Sequence, residues 1–156
     1  MNDMKKIKLI LILLLLFATI GCSFNKESDN QNSSETTNSN EVIKSVKAII
    51  NGKEYIISLE NNETSKSFVN YLPQELKMNE LNGNEKYVYL DKSLPTNASN
   101  PKRINAGDVM LYGDNCLVIF YKSFDTSYSY TKIGHIDNLP DLGSDNITVK
   151  FEQLKD

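Results

Sequence analysis

The 156-residue chain contains no tryptophan, two cysteines, one histidine and a single arginine, Arg103. Each scarcity excludes something. Cys22 and Cys116 cannot build a disulfide-stapled scaffold or a four-thiolate zinc site. One arginine among 17 basic residues, set against 20 acidic ones, is not the basic face of a nucleic-acid binder, and no nucleic-acid partner is expected. No apolar stretch reaches the roughly 20 residues that a membrane-spanning helix needs. The mid-chain carboxylates Glu80, Glu85, Asp91, Asp108 and Asp114 show no metal-loop spacing, so neither a metal nor a cofactor is expected. What the chain does hold is core material: 40% apolar residues, with eight tyrosines and six phenylalanines.

The N-terminus reads as an address. Lys5, Lys6 and Lys8 precede an uncharged apolar run of 12 residues, Leu9 to Ile20, the length of a signal-peptide hydrophobic region. Thr19-Ile20-Gly21-Cys22 resembles the lipobox of bacterial lipoproteins, with Thr19 standing where leucine is usual. The resemblance implies residues 1–21 as a cleaved signal peptide, diacylglycerol on the Cys22 thiol and acylation (palmitate, for example) of the new amino group. The alternatives are an ordinary signal peptide with Cys22 incidental, or a buried apolar strand. The processed chain, residues 22–156, carries 14 basic and 19 acidic residues, a balance of -5. Lipid rather than surface charge would then hold it at a bacterial cell membrane, facing outside the cytoplasm.

Ser23 to Asn40 has no aliphatic or aromatic residue beyond Phe24 and is rich in Ser, Asn, Thr and Glu. Such a segment cannot bury enough surface to offset the entropy of ordering, so residues 22–40 read as a lipidated cysteine and a polar tether. Sequons at Asn32, Asn62, Asn97 and Asn146 are assigned to chance in a chain this rich in asparagine.

Residues 41–156 form the domain, and their pattern is mostly of period two. Val42–Ile50 and Lys53–Glu60 flank Asn51-Gly52, the strongest short hairpin signal. A two-residue loop pairs Ile50 with Lys53, Ala48 with Tyr55 and Val46 with Ile57. Asn62–Leu72 predicts a helix, capped by Asn62 or Thr64 and ended by Pro73. Further strands are predicted at 76–81, 86–90, 108–112, 116–121, 127–136 and 147–151, with a long loop over 91–106. Cys116-Leu-Val-Ile-Phe-Tyr121 is continuously apolar, as in a strand covered on both sides. Many short strands with turn signals and one or two short helices predict a mainly β fold, a closed barrel.

Several runs carry a family resemblance. Leu81-Asn-Gly-Asn-Glu-Lys-Tyr87, Ser93-Leu-Pro-Thr-Asn97 and Ala106-Gly-Asp-Val-Met-Leu-Tyr-Gly-Asp-Asn-Cys-Leu117 come first. Phe120-Tyr-Lys-Ser-Phe124 and Thr126-Ser-Tyr-Ser-Tyr-Thr-Lys-Ile-Gly134 follow in order. Together they resemble the bacterial cyclophilin-like domain family over roughly residues 46–152. The resemblance implies a cyclophilin-like barrel with a helix plugging one end, and no settled activity. True prolyl isomerases of this fold use an arginine that reaches the proline nitrogen, with Phe, Met and Gln nearby. They lower a barrier of about 18–20 kcal/mol. Here the strand motif carrying that Arg and Gln is absent, and Arg103 lies in a Pro/Asn-rich loop.

No catalytic residue is therefore assigned. His135 has no Ser or Cys motif beside it, and Cys116 has no basic neighbour to depress its pKa. The richest stretch is Tyr121 to Thr131, where rings and hydroxyls alternate at the spacing of a cleft for a partly apolar ligand. Tyr121, Lys122, Phe124, Ser127, Tyr128 and Tyr130 are its candidate ligand-binding residues. The reading is a lipid-anchored binding module for a small molecule or extended peptide. The rivals are a divergent prolyl isomerase using Arg103, and an accessory subunit docking on another envelope protein. Cys22→Ala should abolish labelling by a fatty-acid analogue and leave the protein unprocessed or released from membranes. Equal labelling of wild type and variant would contradict the lipoprotein reading.

Overall fold

A computed structural model describes residues 43–154. The expected signal peptide (residues 1–21), Cys22 and the expected tether (residues 23–40) lie outside them. Among the described residues no helix is long and apolar enough to cross a membrane.

The first hairpin is built as its turn dictates. β1 (Ser45–Ile50) and β2 (Lys53–Leu59) pair Ile50 with Lys53, Ala48 with Tyr55 and Val46 with Ile57. Asn51 and Gly52 both take positive φ, 49° and 78°, as a twist-matched two-residue turn requires. A single helix follows among the described residues, α1 (Glu63–Val69). The Asn62 side chain caps it by accepting from the Ser65 N–H at 2.8 Å. The helix stops three residues short of the predicted Leu72.

The remaining elements are β3 (Gln74–Leu81), β4 (Glu85–Tyr89), β5 (Arg103–Ile104), β6 (Asp108–Tyr112), β7 (Cys116–Phe120), β8 (Phe124–Asp125), β9 (Thr131–Ile136) and β10 (Ile147–Gln153). Eight of them close an antiparallel barrel in the order β1-β10-β3-β4-β7-β6-β9-β2, while β5 and β8 pair separately. Closure leaves no free edge in the barrel, which is how an all-antiparallel fold avoids unpaired backbone groups. Two sequence expectations shift. The long loop contains β5, and the strand predicted from Ser127 begins only at Thr131. Ahead of it, Tyr130 makes an isolated bridge with Ser99 instead of joining the barrel.

Alternation places Val46, Ala48, Ile57, Met78, Val109, Leu111, Leu117, Ile119, Val149 and Phe151 in one interior cluster. α1 covers the end where β3 begins and β10 finishes. Phe68 meets Phe151 edge to face at 5.5 Å. The Ser65 hydroxyl donates to the Ile133 carbonyl at 2.8 Å, and that of Thr64 to the Pro95 carbonyl at 2.7 Å.

At the other end, Lys86 on β4 is wholly buried. It donates to the Glu80 carboxylate and to the carbonyls of Gly143 and Asp145 at 2.6 and 2.7 Å. Its ammonium also lies 5.0 Å from the Tyr121 ring centre. One side chain thus ties β3, β4 and the loop before β10 together. Burial works to raise the Glu80 carboxyl, but hydrogen bonds from Lys86, Tyr121 and the Gly83 N–H outweigh it and hold it below the usual range. Lys86→Met should cost about 3–5 kcal/mol in denaturant unfolding, because it removes the counter-ion of the part-buried Glu80 carboxylate and leaves two carbonyls without their donor. A loss under about 1 kcal/mol would mean that water takes over those bonds.

Candidate functional site

The outer face of the barrel is itself partly buried. β4, β7 and β6 lie side by side, and their registers stack outward-facing side chains in rows. Cys116 on β7 pairs with Tyr89 on β4 and Tyr112 on β6. Val118 pairs with Tyr87 and Met110, and Phe120 with Glu85. The small thiol and isopropyl groups of the central strand form a floor, and the larger side chains beside them form walls. Ile104, Met110, Phe120 and Tyr130 bury a second apolar cluster on this outer side, with Phe124 packed against it. The expectation that β7 is covered on both sides is borne out.

A cleft of about 330 Å³ opens here, lined by Leu81, Asn82, Glu85, Tyr87, Tyr89, Tyr112, Cys116, Val118, Tyr128 and Tyr130. Tyr87 and Tyr89 are edge to face at 6.0 Å, and Tyr112 and Tyr128 at 6.1 Å. Seven large apolar or aromatic side chains are exposed among the described residues, and four of them, Leu81, Tyr89, Tyr112 and Tyr128, rim this one cleft. Such clustering marks a contact site, whereas scattered exposure would not. A wider depression of about 700 Å³ lies near Lys47, Glu54, Pro73 and Glu152. Its charges already satisfy one another: Lys47 sits 2.9 Å from Glu54 and 3.3 Å from Glu152. It offers a ligand little.

Glu85 sets the chemistry of the cleft. The residue is 9% exposed, and its carboxyl makes no hydrogen bond or ion pair with the described residues. Burial, and then the charge of Glu80, push its carboxyl up to about 6. Burial and then the Glu85 charge raise the Cys116 thiol to about 11 and the Tyr130 hydroxyl to about 12. Burial and the neighbouring negative charge thus favour the thiol over the thiolate at Cys116.

The six predicted ligand-binding residues divide. Tyr128 and Tyr130 line the cleft. Tyr121 faces the barrel interior, where its hydroxyl donates to Glu80 at 2.9 Å. Lys122 lies 3.2 Å from Asp141, and Phe124 packs on Phe120 at 5.6 Å. Ser127 is exposed, its carbonyl accepting from Asn100 at 2.9 Å. Glu85, Tyr87, Tyr89 and Tyr112 escaped sequence reasoning, although 85, 87 and 89 share one strand face by period two.

The other singled-out residues lie elsewhere. Arg103 donates to Asp125 at 2.8 Å on the exposed β5–β8 ribbon and does not line the cleft. His135 Nδ1 lies 3.0 Å from Asp108 Oδ1. Asp108 also accepts from the Asn105 N–H at 2.8 Å, so this carboxylate holds the turn into β6. Cys116 pairs with Tyr112, at the opposite end of β6 from Asp108, and is no partner for that histidine.

The closed barrel, here of eight strands, with a helix at one end is the helix-plugged barrel that the sequence resemblance implies. The sequence matches the Cyclophilin-like family over residues 48–152, and the chain belongs to that family. In structure it is similar to the hypothetical protein AF2241 from Archaeoglobus fulgidus, solved in solution. The two share 19% identity over 72% of this chain and 96% of that one, with a TM-score of 0.48. No curated protein matches the chain.

Glu85 links the site to stability. Its folded pKa is raised, so the stability it contributes is fully present below the unfolded value near 4.5 and is lost as pH rises through about 6. Glu85→Gln should therefore stabilise the protein by about 1–2 kcal/mol at pH 8, at roughly 1.4 kcal/mol per pKa unit. The gain should vanish below pH 4.5. Melting curves at both pH values check this, and an equal effect at both would show that the carboxyl is not desolvated.

Proposed function

We propose that the protein is a lipid-anchored, extracytoplasmic binding module whose cleft takes a small molecule or an extended peptide. One observation carries this reading: Glu85, nine-tenths buried as a residue, has a carboxyl with no hydrogen-bond or ion-pair partner among the described residues, in a cleft ringed by five tyrosines. A buried charge left unpaired opposes folding, and residues that cost stability cluster where a ligand is bound. Tyrosine suits the rest of such a site, since it presents a broad apolar ring and a polar tip with few rotatable bonds.

The location rests on the N-terminal sequence. The basic residues, the 12-residue apolar run and Cys22 support anchoring by lipid, with residues 23–40 as a spacer that holds the cleft away from the bilayer. Catalysis is not part of the proposal. The residues lining the cleft include no guanidinium for proline isomerisation, and burial pushes its thiol up, away from the reactive thiolate.

A thermal-shift screen of metabolites and short peptides on the full chain tests the cleft. Stabilising compounds should lose their effect in Cys116→Phe, which fills the floor between Tyr89 and Tyr112. The melting temperature of the unliganded variant serves as its folding control. Compounds that stabilise both proteins equally would put binding elsewhere and contradict the proposal.

A further inference from the structure

We infer that the cleft receives an alkylammonium group, with Glu85 as its counter-ion and the surrounding tyrosine rings as its walls. The inference rests on the binding-module reading and narrows it to one ligand chemistry.

Charge decides the sign. Glu85 is the one carboxylate among the cleft-lining residues, and no Lys, Arg or His joins it there. The nearest lysine in sequence, Lys86, points to the opposite face of β4 and is consumed by Glu80 and two carbonyls. Among the described residues the other buried charges are partnered. Asp108 has Asn105, His135 and Lys132, the last at 3.4 Å. Glu85 alone among them lacks a donor. An anionic ligand would add repulsion to an already desolvated carboxylate. A neutral apolar ligand would desolvate it further. A cation relieves both costs.

The walls suit an organic cation better than a metal ion. Aromatic faces attract ammonium and guanidinium groups through the ring quadrupole, most strongly when the pair is shielded from water. The Tyr87–Tyr89 and Tyr112–Tyr128 pairs are nearly perpendicular, at 83° and 89°, so rings stand in more than one plane around the floor. A hard metal ion asks for six or more oxygen ligands. Among the described residues no group of three His, Cys, Asp or Glu side chains gathers to supply them. A methylated or primary ammonium needs one counter-ion and apolar contact around it, and the cleft has both.

The titratable groups around Glu85 also predict how binding responds to pH. Glu80 on β3 is held below the usual carboxylate range. Cys116 on β7 and Tyr130 ahead of β9 are pushed up to about 11 and 12. Tyr87 and Tyr89 on β4, Tyr112 on β6 and Tyr128 complete the set. Of the shifted groups, Glu85 is the one brought near pH 6.

Titration calorimetry on the full chain in nonionic detergent tests the inference. The probes are choline, its neutral isostere 3,3-dimethylbutan-1-ol, and N-acetyl-lysine methylamide. Choline should bind at least about tenfold more tightly than the isostere, the difference that one relieved buried charge readily supplies. Glu85→Gln should remove that preference, and Tyr128→Leu, at an exposed position, should weaken choline severalfold while leaving the fold intact. Choline affinity should fall about tenfold from pH 7.5 to 5 in the wild type and stay flat in Glu85→Gln. Tighter binding of the lysine derivative than of choline would place the ammonium on a peptide side chain, and the reverse on a free small molecule. Either result supports the inference. Equal affinity for choline and the isostere, both lost in Cys116→Phe, would overturn the cation and leave the cleft standing. Binding of none of the three probes, or binding unaffected by Glu85→Gln, Tyr128→Leu and Cys116→Phe alike, would overturn both readings.

Discussion

Successive side chains of a strand point to opposite faces, and at the head of β4 both faces are buried. Lys86 goes inward and Glu85 outward. The lysine is met by a carboxylate, two carbonyls and an aromatic ring, so its charge becomes a clamp across one end of the barrel. The glutamate, in register with Leu81 and Phe120 in a cleft lined by tyrosines, has neither donor nor cation to offset its burial. Two adjacent residues of opposite sign thus receive opposite treatment. No sliding of β4 could bring them together, because a one-residue slip would exchange their faces and empty the clamp.

The cleft follows from the same constraint applied to three strands. Closing the barrel fixes β4, β7 and β6 as neighbours, and their registers place small residues on the central strand between tyrosines. Covering part of that face with the β5–β8 ribbon and Tyr130 buries Phe120 and Met110 and leaves Cys116 and Val118 as a floor. The interior stays a packed core while the outer wall carries the site. This division lets one domain be stable inside and accommodate a poorly solvated carboxyl outside.

Much of this is legible in the amino-acid sequence. Asn51-Gly52 specified the register of the first hairpin, since Asn and Gly readily take the positive φ angles of a turn that matches the twist of its strands. The unbroken apolar run from Cys116 announced a strand buried on both sides. The site was harder to see. Glu85-Lys86 reads as an exposed charged pair after a turn, because nothing local says that the outer face of β4 is covered. That cover comes from residues 99–130, far along the chain. The aromatic stretch from Tyr121 was the visible signal, but its period broke where Tyr130 bridges Ser99. Tyr121 fell into the core, and Tyr128 and Tyr130 fell into the cleft. The spacing of Glu85, Tyr87 and Tyr89 held the other half of the site.

The central claim is that Glu85 is a buried carboxyl that lacks a counter-ion in the free protein. The most direct test follows its side-chain carbon by NMR through a pH titration, with and without saturating choline. The account predicts a pKa of about 6 in the free protein and a clear fall once the cation is bound, because an adjacent positive charge favours the ionised form. A free value near 4.5 that choline leaves unmoved would contradict it.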